Sequence, residues 1–189
     1  MLYSKPSIRS QLFNLYQRPK FEHMLKKSGA QYSQDDLYND IYDGRIWKTF
    51  SLNNNKPFFT QETASTHLGF LLNLDWFQPF TYTKWSTGAI YASILNLPHK
   101  EHNKSENLLY LGFLPGPNEA SLHQIKHYLA TIVDELLILF NGFHISRTFQ
   151  CPEGLDIKAV ILLLLNDTPA ARKISGHAGA AKKCHRCLK

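Results

Sequence analysis

Lys158–Ala170 reads KAVILLLLNDTPA, and the rest of the chain is placed around it. Seven apolar residues, Ala159–Leu165, are closed by Asn166 and Asp167. A run this short, with turn-forming residues behind it, suits a strand buried on both faces; periodicity alone also admits a buried helix segment. The next two residues favour the strand, because Thr168 can cap a new helix and Pro169 fits its first position. Asp167 then stands at the carboxyl end of a buried strand, the edge at which open α/β sheets bind ligands. It is either a helix cap or a working group.

The 189 residues suffice for one full domain plus an extension, and 43% hydrophobic with 13% aromatic content excludes a disordered chain. Lys and Arg number 21 against 15 Asp and Glu, a net charge of +6, which suits a polyanionic partner and an ordinary protein equally. The opening MLYSKPSIRS lacks the apolar stretch of a secretory leader, and no apolar run approaches the roughly 20 residues that cross a bilayer, so no membrane partner is expected. Three cysteines, two of them close together, argue for a reducing intracellular compartment and against a disulfide scaffold.

Residues 1–60 read as a helical or irregular extension. Short helix patterns fall at Ile8–Tyr16 and Asp36–Trp47, with a turn at Asp43-Gly44 and a polar break at Asn53–Pro57. The scattered Lys and Arg there suit a solvated face or a nucleic-acid surface. Residues 61–180 read as the core. Its first strand is His67–Phe77 (HLGFLLNLDWF), with Asp75 near the end among Leu74, Trp76 and Phe77. A carboxylate among such neighbours should be paired, hydrogen-bonded, protonated or bound to metal. Gly88–Leu97 and Leu108–Leu114 read as the second and third strands. Apolar residues then recur at three- and four-residue steps over Glu119–Asn141, a helix with Asn118 as N-cap and Gly142 as its stop. Asp134 and Glu135 on that helix are expected to face solvent. The predicted architecture is α/β: three antiparallel strands, a crossover helix, a fourth strand parallel to and beside the first, and a final helix. Asp75 and Asp167 would then be neighbours.

Adjacent carboxylates repel unless something neutralises them, and a hard divalent ion, Mg²⁺ or Mn²⁺, does so through oxygen ligands. Two such ions roughly 3.5–4 Å apart clamp the attacking and leaving oxygens of phosphoryl transfer. That arrangement takes three carboxylates as a rule, and the sequence nominates two. Without metal, the same residues read as a strand-end hydrogen bonder and a helix cap. An unrelated magnesium-dependent nuclease would need a third acid within the chain, with Glu119 and Glu153 as candidates. Residues 181–189 form a basic tail holding Cys184-His185-Arg186-Cys187, half of a tetrahedral zinc site. Cys151 and His177 are the further ligands on offer, without persuasive spacing.

Taken together, HLGFLLNLDWFQPF (67–80), LLYLGFLPGPNE (108–119), VDELLILFNG (133–142) and KAVILLLLNDTPAARKISG (158–176), with KKCHRC (182–187) behind them, resemble the transposase core of CACTA-superfamily elements, nearest to the Plavaka-like branch of fungi. The stretch Asp43–Lys48 resembles what that family carries upstream of its first acid. The resemblance implies a ribonuclease-H-like fold with an Asp-Asp-Glu or Asp-Asp-Asp metal triad. It places the first acid on Asp75, the second on Asp167, and a cysteine knuckle on Cys184 and Cys187. It further implies Mg²⁺ or Mn²⁺ as cofactor, Zn²⁺ at the knuckle, transposon-end DNA as partner and a nuclear location, and leaves homo-oligomerisation open. The third acid of that family lies beyond Lys189. The expectation is therefore an amino-terminal part of such an enzyme, truncated and inactive alone, or a non-catalytic remnant that binds DNA or an intact transposase.

Overall fold

The computed structural model describes residues 7–28, 40–52 and 56–166. Its elements in chain order are α1 (Ile8–Tyr16), α2 (Phe21–Ser28), α3 (Arg45–Thr49), β1 (His67–Phe77), β2 (Thr87–Ile94), β3 (Leu109–Leu114), α4 (Leu122–Asn141), β4 (Phe143–Ile145) and β5 (Leu155–Leu165). The strands form one five-stranded mixed sheet in the order β3-β2-β1-β5-β4. β1 pairs antiparallel with β2 and parallel with β5, so the expected return of the late strand beside the first is found.

Alternation along β1 divides the sheet into two faces. Leu68, Phe70, Leu72 and Leu74 enter a core that includes Ile8, Leu12 and Leu15 of α1, Phe21 and Leu25 of α2, and Ile125, Ile132 and Leu139 of α4. The opposite face begins at Gly69 and Leu71 beneath a second cluster: Tyr42, Trp47, Phe58, Phe59, Leu95 and Val160, with Leu71 and Leu162 at its margin. Trp47 lies flat on Phe59, ring centroids 4.0 Å apart.

Four local expectations are corrected. The cap of α4 is Ser121, not Asn118, because Ser121 and Gln124 exchange side-chain-to-backbone bonds in a capping box. Glu135 does not face solvent: its Oε2 accepts from Ile8 N at 2.7 Å and Ser7 Oγ at 3.1 Å, capping α1 from another helix. The stretch after Gly142 contains β4, which pairs with the early residues of β5. Finally, β5 is not buried on both faces. Ile157 and Ala159 are buried in the main core and Val160 under the aromatic cluster, whereas Ile161, Leu163, Leu164 and Leu165 are exposed, beyond the part of the strand that these clusters and β4 cover.

Gly154 fixes the β4–β5 turn. Its φ is +84°, and an added Cβ would stand 2.1 Å from Ile145 O. Gly154→Ala is expected to cost roughly 2–3 kcal/mol, from left-handed strain plus the backbone clash, read as a lower denaturation midpoint at unchanged m-value.

His67 at the start of β1 donates from Nδ1 to Phe58 O at 2.6 Å and stacks on the Phe58 ring. Burial holds its pKa below the usual 6.5; the Phe58 carbonyl opposes this, and nearby Lys158 adds to it. The fold therefore favours neutral imidazole. Its contribution is fully present above the ordinary pKa and is lost as pH falls through the lowered folded value, where the unfolded chain binds the extra proton. Melting temperature should drop more between pH 7.5 and 5.0 in the wild type than in His67→Gln.

Candidate active site

β1 carries Asn73, Asp75 and Phe77 on the face beyond the aromatic cluster. Asp75 is exposed, which corrects the expectation of an apolar surrounding: Leu74 and Trp76 pack into the core on the other face. The neighbours of Asp75 in space come from other strands. Cross-strand register places Tyr91 beside Asn73 and Ala89 beside Asp75. Asn73, Leu74, Asp75, Tyr91, Leu165 and Asn166 line a recess of about 320 Å³ at the carboxyl ends of β1 and β5.

One hydrogen bond holds this recess. Asn166 Oδ1 accepts from Leu74 N at 2.5 Å, pinning the end of β5 to β1 beside Asp75. Asn166 Nδ2 is buried with no partner among the described residues. The Tyr91 hydroxyl has a raised pKa, first through burial and then through the negative charge of Asp75. It is therefore a donor at neutral pH.

The β1–β5 register contains one irregularity. Phe70 pairs with Ile161 but Leu71 pairs with Leu163, so Leu162 is an extra residue, a bulge in β5. The last described pair is Asn73 with Leu165.

Asp167, Cys184 and Cys187 lie outside the described residues, as do His177, Thr168 and Pro169. Cys151 is a free thiol in the β4–β5 connection, its N–H donating to Thr148 Oγ1. Glu153 precedes β5 and so lies at the opposite end of the sheet from Asp75, whereas Glu119 lies between β3 and α4. Among the described residues no three His, Cys, Asp or Glu side chains converge on a point that could hold a metal ion. No helix of the described residues is long and apolar enough to cross a membrane.

A family model described as transposase family tnp2 matches residues 35–189, most of the chain. This chain belongs to the tnp2 transposase family. No curated protein and no solved structure matches it. The matched span of this tnp2 transposase starts after α2, yet α1 and α2 share one core with the sheet. The recess at Asp75 falls within the span.

Sequence reasoning misses Tyr91 and Asn166 as parts of the site. Tyr91 is reached only through strand register, which no local pattern reveals. Asn166 reads as a turn residue, although its place directly before Asp167 in a two-residue polar stop is a usable signal.

Proposed function

We propose that this chain carries the metal-binding part of a DNA transposase core of ribonuclease-H-like type, in the CACTA superfamily near its Plavaka-like branch. Asp75 and Asp167 hold Mg²⁺ or Mn²⁺. The observation that carries this reading is the parallel β1–β5 pairing with its bulge. The last described pair, Asn73–Leu165, and the bond from Leu74 N to Asn166 Oδ1 bring the end of β5 beside Asp75, and Asn166 is one residue before Asp167 in the sequence.

The donors on offer fit a hard cation. The described lining presents carboxylate, amide and phenol oxygen, with no sulfur or imidazole. When bound, the ion would polarise a phosphodiester for in-line attack, first by water and then by a 3′-hydroxyl. Asp75 supplies negative charge at the open end of the recess. Tyr91 presents a neutral hydroxyl that donates to an anionic oxygen. Asn166, through Leu74 N, keeps the two strand ends together. By the chain's resemblance to that superfamily, cleavage takes a third acid in addition to the proposed pair. The partner is transposon-end DNA, met in the nucleus.

The test is a Mn²⁺ titration of the full chain by electron paramagnetic resonance, alongside salt-dependent DNA binding. Mn²⁺ bound through Asp75 and Asp167 supports the reading. DNA binding without any Mn²⁺ site supports the alternative, a non-catalytic protein that binds DNA or an intact transposase.

A further inference from the structure

The β1–β2 connection places an aromatic cleft on the same sheet face as Asp75, one step further along the strands. Phe77 pairs with Thr87, and Ala89, level with Asp75, pairs with Phe113, so Phe77, Thr87 and Phe113 share the face of the acid. With Pro79, Trp85, Pro115 and Gly116 they line a cavity of about 300 Å³. Phe77, Trp85 and Phe113 are each about two-fifths exposed, and Tyr82 at the loop tip is 98% exposed.

This is a built cleft. A Cβ on Gly116 would lie 2.5 Å from Trp85 Nε1 and 2.5 Å from Ser86 O, so the indole is seated directly against a backbone that only glycine permits. Ser86 N donates to Pro117 O at 2.8 Å, tying the loop to the segment after β3. Phe113 is braced by Tyr110, ring centroids 4.8 Å apart. The cleft lining carries no charge of its own; Lys84 sits in the loop beside Trp85, and Asp75 and Glu119 flank the two segments that form it.

We propose that this cleft takes an unpaired nucleobase of DNA, stacked on Trp85 and Phe113, while the adjoining phosphodiester lies at Asp75. The inference rests on the transposase reading above and extends it to the form of the DNA. The spacing fits: two strand residues separate Phe77 from Asp75 by roughly 7 Å, a span on the order of one unstacked nucleotide from its base to the adjoining phosphate. Exposed aromatic rings in an uncharged cleft bind bases without regard to sequence, since every base offers a ring face. A double helix keeps its bases stacked on each other, so the cleft selects DNA that is frayed, overhanging or distorted beside the reacting phosphate.

The experiment uses the full 189-residue chain in EDTA, so that no divalent site contributes. Fluorescence anisotropy compares a blunt duplex with the same duplex carrying a single-stranded extension. The wild type should prefer the extended DNA. Trp85→Ala should weaken that binding about tenfold while changing the blunt duplex by less than about twofold, and Trp85→Phe should recover most of the loss. Phe113→Leu serves as the second variant, with melting curves checking both folds. A 2-aminopurine in the extension should be quenched on binding the wild type, a readout that needs no variant. Equal affinity for the two DNAs, or equal loss on both in Trp85→Ala, overturns the cleft and leaves the acid pair standing. Binding of neither DNA overturns the cleft, while the acid pair is judged by the Mn²⁺ titration alone. Preference for the extension in a chain that binds no Mn²⁺ overturns the acid pair and leaves the cleft.

Discussion

Asp75→Ala and Asp167→Ala should each weaken Mn²⁺ binding by at least roughly 100-fold. Removing groups that merely orient metal ligands commonly costs 10–100-fold, and a ligand itself should cost no less. The argument is electrostatic. A hard divalent ion in a recess otherwise lined by amide, phenol and leucine depends on carboxylate charge, and each variant halves what the proposed pair supplies. Asp156→Ala is the control: that carboxylate is exposed, engages His144 Nδ1 at 2.9 Å, and lies at the other end of β5. It should leave Mn²⁺ affinity unchanged. DNA affinity should persist in both site variants, since phosphate contacts by Lys and Arg, with their counterion release, do not require an acid. Any divalent-dependent nicking should disappear with Mn²⁺ binding. Undiminished Mn²⁺ binding in both variants would refute the pairing of the two acids.

How much of the molecule is legible in its sequence depends on the range of the forces that shape each part. The bounds of β1 and α1 fall where the local pattern places them, since alternation and helical spacing are short-range signals. The start of α4 falls later than the pattern places it because Asn118 and Ser121 are both competent caps; the choice goes to Ser121, which has Gln124 three residues on to complete the box. The burial of β5 is overstated by its sequence because seven apolar residues look alike, whereas their cover comes from elements far away in the chain, the main core on Ala159 and residues 41–59 on Val160, and runs out after that. α2 carries a short local signal, Phe21, Met24 and Leu25 at helical spacing, which sequence reasoning passes over. Its stability comes from tertiary contact: Phe21 and Leu25 enter the main core, and the buried Glu22 accepts from Thr148 Oγ1 and Gln150 N. At the site, Asp75 is legible from its strand-end position, but its exposure is not, because that depends on which face β1 turns to the core. The aromatic loop after β1 is visible from ring density alone: Phe77, Phe80, Tyr82 and Trp85 fall within nine residues of sequence.

Trp47→Ala is the other change with a large expected effect, about 4 kcal/mol of stability. Trp47 is 3% exposed, stacks on Phe59 and meets the Tyr42 ring edge-on. It also helps to fill the space above Gly69, where an added Cβ would stand 3.0 Å from both the indole and Leu162. Leu162 is the extra residue of the β5 bulge, so the indole packs beside the irregularity that sets the register of β1 against β5. Removing it opens a cavity there and frees the bulge to shift. Trp47 covers Gly69, six residues or roughly 20 Å of strand from Asp75. If the bulge governs how the end of β5 meets β1 beside Asp75, Trp47→Ala should weaken Mn²⁺ binding under conditions where the protein is still folded, and Trp47→Phe should do so much less. Chemical denaturation and Mn²⁺ titration on the same samples separate the two effects. A stability loss under about 1 kcal/mol would show that the aromatic cluster does not brace the sheet. A full loss of stability with unchanged metal affinity would show that the register is held elsewhere, with Asn166 and Leu74 N the first place to look.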